Sequence, residues 1–152
     1  MTQHTYTSNI TWKGTTAGGY RGFSRDHTAV APPALEELGL SSDSAFRGSP
    51  ELLNPEQLLT IAASSCQLLS FLALASRAGL DIHSYEDRAT AVLDTGAIPA
   101  RITEIVLAPT IRVPAGTDRN SVRAAVESAH RMCYIGNTLN CRIRLQPTVA
   151  EA

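Results

Sequence analysis

Three cysteines, Cys66, Cys133 and Cys141, carry the most reactive side chains in this 152-residue sequence. A thiol can pack as a small apolar group, bind a metal, or attack as a nucleophile once it is ionised. The three sit in different surroundings. Cys141 alternates with Leu139, Ile143 and Leu145 in a strand pattern, which reads as a small core residue. Cys133 ends the apolar face of a helical pattern, just before Gly136 and Asn137, which signal a break. A cysteine at such an end can swing toward a partner, which a mid-strand cysteine cannot. Cys66, preceded by Ser64 and Ser65, lies in a run with no charge between Glu56 and Arg77. That setting suits a core cysteine, and it equally suits a thiol kept dry for chemistry.

Activation decides between those two readings of Cys66. The residue lies deep in its helix, and a helix dipole acts only within the first turn. A thiolate at Cys66 therefore needs a cation from elsewhere in the fold, and Arg47 and Arg21, both in loop-like segments, are the candidates. Without a cation, burial would raise the thiol pKa and leave it inert. His130 and Cys133 have a spacing that invites a metal, but only Cys141 and distant histidines could complete a zinc set. No metal or other cofactor is expected, and His130 and His83 read as surface or half-buried polar residues.

The elements that must hold these residues follow from patterning. Residues 5–13 alternate, with Tyr6, Ile10 and Trp12 on one face, and predict a strand. The Ala17–Gly22 stretch reads as a turn, and 21–31 as a second strand closing a hairpin. Residues 32–53 read as a long connection, of the kind that is often functional. Asn54 is a good N-cap, Pro55 suits the first helical position, Gln57 can close a capping box, and Gly79 is a natural stop. Between them lies a helix apolar nearly all round, the mark of a central buried helix. Two strand segments follow, "YEDRATAVLD" and "RITEIVLAPTIRVP", with Pro109 at an edge or bulge. A second helix starts near Asp118, with Val122, Ala125, Val126, Ala129 and Cys133 on one face. A last strand is expected over 139–146. This order predicts an α+β fold with a largely antiparallel sheet.

Composition narrows the function. Hydrophobic residues at 43% and charged residues at 18% describe a globular chain whose size suits one domain. A formal charge of −1 gives no reason to expect nucleic acid or an anionic membrane as partner. The uncharged run 57–76 has bilayer-spanning length. Thr60, Ser64, Ser65, Gln67, Ser70 and Ser76 are scattered all round it, so it reads as a buried helix and no membrane is expected. The polar start has no signal-peptide core, so a cytoplasmic location is expected. Three cysteines without an export signal argue against a disulfide scaffold.

Two segments resemble a known family. Asn54-Pro55-Glu56-Gln57-Leu58, with Cys66 ten residues after Glu56, is similar to the signature of the OsmC/Ohr family of organic hydroperoxide reductases and osmotically inducible proteins. The "AHRMC" segment ending at Cys133 resembles the one that carries the family's second cysteine. The element order agrees over essentially the whole chain. The resemblance implies a single OsmC-like domain over 1–152, with two long helices, in an intertwined homodimer whose active site forms between subunits. It also implies a thiol-dependent peroxidase that reduces organic hydroperoxides to alcohols. Cys66 would be the peroxidatic cysteine and Cys133 the resolving one. The arginine that holds the thiolate would be Arg47, in "FRGSPELLNPEQ", or Arg21, in "GGYRGF", with Glu56 pairing to it. A thiol reductant is implied, which in some members is a dihydrolipoyl protein.

The chain departs from the family pattern in one place near the chemistry. Many members have proline after the second cysteine, whereas Tyr134 follows Cys133 here. The connection over 32–53 also differs from the Ohr branch and is closer to OsmC. Two other functions are compatible with the same residues. One is a dimeric protein binding a lipid-like molecule, with slow cysteines. The other is a redox sensor, which the near-neutral surface and the lack of a DNA-binding segment disfavour.

Overall fold

The structure, a computed structural model, describes residues 2–152. The chain forms two compact units divided between Leu58 and Leu59. The first holds a three-stranded antiparallel sheet of β1 (Asn9–Thr11), β2 (His27–Val30) and β3 (Glu37–Leu40), with β2 in the centre. After β3 the chain runs through a 3-10 turn, Ser44–Phe46, and Leu53 pairs back with Leu40. Asp26 ties this connection down by accepting from the hydroxyls of Ser41 at 2.8 Å and Ser49 at 2.7 Å.

Helix α1 (Pro55–Arg77) begins with the expected capping box. The Asn54 side chain accepts from the Gln57 amide at 2.8 Å, and the Gln57 side chain accepts from the Asn54 amide at 3.0 Å. At its other end Gly79 adopts φ 69°, and the Leu80 amide reaches back to the Ala75 carbonyl. Within the second unit, α1 buries Ala63, Gln67, Phe71 and Ala75, four residues apart along one stripe. Ile61, Leu69 and Leu72, off that stripe, stay 50%, 63% and 40% exposed. The helix is thus buried along one face of this chain and not all round, contrary to what its composition suggests.

The second unit contains β4 (Ser84–Asp87), β5 (Thr90–Asp94), β6 (Arg101–Leu107), β7 (Pro109–Val113), α2 (Arg119–Met132), α3 (Tyr134–Thr138), β8 (Arg142–Leu145) and β9 (Thr148–Glu151). Its strands form two sheets, β4-β7-β9 and β5-β6-β8. The pairs β6–β8 and β7–β9 are parallel, and the remaining pairs in both units are antiparallel. The fold is α+β with two long helices, as the sequence implies. One core joins Phe71 and Ala75 of α1 to Ile111 and Val113 of β7, Val122, Val126 and Ala129 of α2, and Val149 of β9. The other joins Ala63 to Ile105 and Leu107 of β6. By length and composition α1 could cross a membrane, but here one face of it lies in these cores.

Several boundaries differ from the expectations. The connection over 32–53 contains β3. Each of the two strand segments in the middle of the chain is two strands, broken at Arg88–Ala89 and at Ala108. Pro109 opens β7, where its missing amide leaves no gap in the ladder. The last strand is shorter than 139–146, and β9 follows it. Gly136 and Asn137 do not break the chain but lie inside α3.

Candidate active site

Cys66 is fixed by what holds α1 on either side of it. Two residues earlier, at the helix flank, the Ser64 hydroxyl donates to Asp87 Oδ2 at 2.5 Å, and Asp87 Oδ1 accepts from the Ala108 amide at 2.7 Å. On the other side, the fully buried Gln67 donates from Nε2 to the Val126 carbonyl of α2 at 2.9 Å. These bonds lock the rotation of the helix, so the half-buried Cys66 faces the end of α2.

Cys133 is held by a junction. It caps the C-terminus of α2 and the N-terminus of α3, with an extended backbone between two helical turns. Its amide bonds the His130 carbonyl, and its carbonyl accepts from the Asn137 amide at 2.9 Å. The Asn137 side chain donates to the Arg131 carbonyl at 3.1 Å, closing the end of α2. The Cys133 sulfur accepts from the Gly136 amide at 3.2 Å. Its thiol interacts with that of Cys66, lowering the Cys66 pKa and raising its own.

The two sulfurs therefore differ in electrostatics although they touch. Burial works to raise the Cys66 pKa. The Cys133 thiol, the amides of Ile135 and Tyr134, and the Ser70 hydroxyl outweigh it and hold Cys66 below the ordinary cysteine range. Cys133 is pushed up to about 11, first by burial and then by donating its proton toward Cys66. Of the two sulfurs, Cys66 is the more readily ionised and Cys133 the more firmly protonated. Tyr85 of β4 has its ring 5.7 Å from that of Phe71, and burial, then the charge of Asp87, push its pKa up and keep it protonated. Among the described residues, Tyr85 Oη, Gln67 Oε1 and His130 Nδ1 are buried without a hydrogen-bond partner.

The structure brings Cys66 and Cys133 together in the second unit. Arg21, Arg47 and Glu56 belong to the first. Arg21 lies exposed in the turn between β1 and β2. Arg47 is exposed and takes a left-handed conformation, φ 71°, at the end of the 3-10 turn. Glu56, half-buried, sits in the first turn of α1. Cys141 packs with Ala63, Ile105 and Leu107 as the strand pattern predicts. Sequence reasoning misses the donors of α3: it seeks a cation for Cys66, whereas the nearest groups in this unit are neutral.

A family model described as OsmC-like protein matches residues 48–148. Among solved structures, an OsmC-like protein of unknown function from Vibrio cholerae superposes with a TM-score of 0.85 at 21% identity, covering 95% of this chain and 99% of its own. An organic hydroperoxide resistance protein OsmC from Legionella pneumophila gives 0.73 at 18% identity, with 99% of both chains covered. An organic hydroperoxide resistance protein from Elizabethkingia anophelis gives the same values. At these identities the likenesses establish the fold. No curated protein matches the chain.

Proposed function

The chain belongs to the OsmC-like family, and from that premise we propose that it is a thiol-dependent peroxidase reducing organic hydroperoxides to alcohols. One observation carries the reading: two interacting cysteines, the pKa of one lowered and that of the other raised. That asymmetry is what a peroxidatic and a resolving cysteine need.

The Cys66 thiolate attacks the distal oxygen of the hydroperoxide, forming the S–O bond and breaking the O–O bond. The alkoxide that leaves takes up a proton and departs as the alcohol. Cys133 then attacks the sulfur of the Cys66 sulfenic acid, and its proton leaves with the hydroxyl as water. The Cys66–Cys133 disulfide so formed is reopened by an external dithiol, with a dihydrolipoyl protein as one candidate. Trapping the sulfenic acid this way prevents further oxidation. Arg47 or Arg21, oriented by Glu56, stabilises the developing alkoxide and adds to thiolate stabilisation. Ala63, Ile135 and the other apolar neighbours of this region favour an alkyl hydroperoxide over hydrogen peroxide.

The protein acts as a homodimer in this reading. The exposed face of α1 supports it, because Ile61, Leu69 and Leu72 still expose apolar area whose burial stabilises by roughly 25 cal/mol per Å². The test is steady-state reduction of cumene hydroperoxide and hydrogen peroxide with a dithiol, in wild-type, Arg47→Ala and Arg21→Ala proteins. The expected result is turnover that prefers the organic substrate and is lost in one arginine variant. No turnover with either peroxide in the wild-type protein overturns the proposal.

A further inference from the structure

Among the described residues, Arg47 is the one non-glycine residue with a left-handed backbone, at φ 71°. That conformation costs an L-residue free energy and persists only where its surroundings over-determine it. Here the surroundings are a closed loop. The Gly48 amide donates to the Asp43 carbonyl at 3.0 Å, the Arg47 amide to the Ser44 carbonyl at 3.0 Å, and the Ser42 hydroxyl to the Phe46 carbonyl at 3.2 Å. At the neck, the backbones of Ser42 and Gly48 meet so closely that a Cβ on Gly48 would lie 1.6 Å from the Ser42 carbonyl oxygen. Just outside the neck stand Ser41, fully buried, and Ser49, whose amide donates to the Ser41 hydroxyl at 3.0 Å.

Both feet of this loop are tied to one atom. Asp26 Oδ1 accepts from the Ser41 hydroxyl at 2.8 Å and from the Ser49 hydroxyl at 2.7 Å, as a carboxylate oxygen with two lone pairs can. Asp26 immediately precedes β2, the central strand of the first unit, and its neighbour His27 pairs with Leu40, the residue before Ser41. Its own amide donates to the Ser24 hydroxyl at 3.0 Å. The clamp is therefore carried by the sheet and not by the loop it holds. We propose that Asp26 is a positioning residue: by clamping both feet of the 42–48 loop it fixes where the Arg47 guanidinium is presented. The inference rests on the reading that Arg47 serves Cys66, and it adds the group that places that arginine. Asp26 acts through the loop and takes no part in the bond changes at sulfur.

The test uses two readouts on the full chain. Limited trypsin digestion with peptide mass mapping reads the loop, because cleavage after Arg47 needs it to open. Asp26→Ala should be cut there about tenfold faster than wild type, the worth of a hydrogen bond to a charged acceptor. Asp26→Asn, which keeps an acceptor oxygen, should stay closer to wild type, and cutting at Arg88 in the second unit should not change. Iodoacetamide labelling of Cys66, without peroxide and at one pH below the ordinary cysteine range, reads what the arginine does. Arg47→Ala should slow it about tenfold, the effect of one pKa unit. Asp26→Ala should slow it about threefold, since a displaced guanidinium keeps part of its effect. In an Arg47→Ala background Asp26→Ala should slow it no further, whereas a merely structural loss slows both backgrounds alike. If Asp26→Ala does not fold, Ser49→Ala, which removes one of the two bonds, decides by the same readings. Unchanged cutting after Arg47, or equal slowing in both backgrounds, overturns the inference. Faster cutting together with wild-type labelling in Arg47→Ala leaves the clamp standing and overturns the arginine's role in the proposed function.

Discussion

Cys66 and Cys141 lie in the same unit and both are half-buried. Cys141, just before β8, meets side chains of a core: Ile105, Leu107 and their neighbours. Cys66 meets hydrogen-bond donors: one thiol, two amides and a hydroxyl. Burial alone would raise the Cys66 pKa and leave that thiol inert. The difference therefore lies in what stands beside each sulfur: Cys133, held at the α2–α3 junction, beside Cys66, and core side chains beside Cys141. In this unit reactivity is a property of the α2–α3 junction before it is a property of cysteine.

The largest effect should come from removing the thiolate itself. Cys66→Ser should abolish reduction of cumene hydroperoxide in a steady-state assay, and normal turnover in that variant would end the contrast drawn here. Cys133→Ser comes next. It should allow one turnover and then leave Cys66 as sulfinic or sulfonic acid, read from intact mass. A Cys133→Ser protein that cycles unimpaired with a dithiol would remove Cys133 from the reaction. Cys141→Ala sharpens the comparison from the other side: turnover should match the wild type, with a stability loss of about 1 kcal/mol in chemical denaturation. A large loss of activity with the fold intact would make Cys141 more than a core residue.

The smallest expected effect concerns the partner strand of β8 and not its sulfur. Glu104 of β6 accepts two bonds from Arg144, at 2.7 and 2.9 Å, which hold its carboxyl below the usual glutamate range. A depressed folded pKa means the contribution is present above the unfolded value, about 4.3, and fades as pH falls through the folded one. Urea midpoints should therefore fall more steeply on acidification in the wild type than in Glu104→Gln. Parallel curves would show the pair to be without effect, as many exposed pairs are.

What was legible in the sequence was mostly local. The Asn54–Gln57 box, the Gly79 stop and the Asp118 cap each announce themselves because the capping residue type is restricted. The strand breaks at Arg88–Ala89 and Ala108 do not, since neither Arg nor Ala punctuates a strand pattern. Gly136 and Asn137 mislead, because both are breakers by type, yet Cys133 and Leu139 bracket a helical turn around them. The exposed face of α1 is invisible for a different reason: apolar composition does not say whether a side chain is buried by its own chain or by another. For the site, the spacing of Glu56 and Cys66 and the "AHRMC" segment point to the two cysteines through family resemblance. The groups that lower the Cys66 pKa come from Cys133, from Ser70 and from backbone amides, and their convergence on one sulfur depends on the fold and leaves no trace in residue type.

The most direct measurement is peptide mass mapping of the fully reduced protein after one equivalent of cumene hydroperoxide. The predicted result is a Cys66–Cys133 disulfide with Cys141 still a free thiol. A Cys141 adduct, or three thiols left reduced, would contradict the claim that the α2–α3 junction makes Cys66 the attacking sulfur.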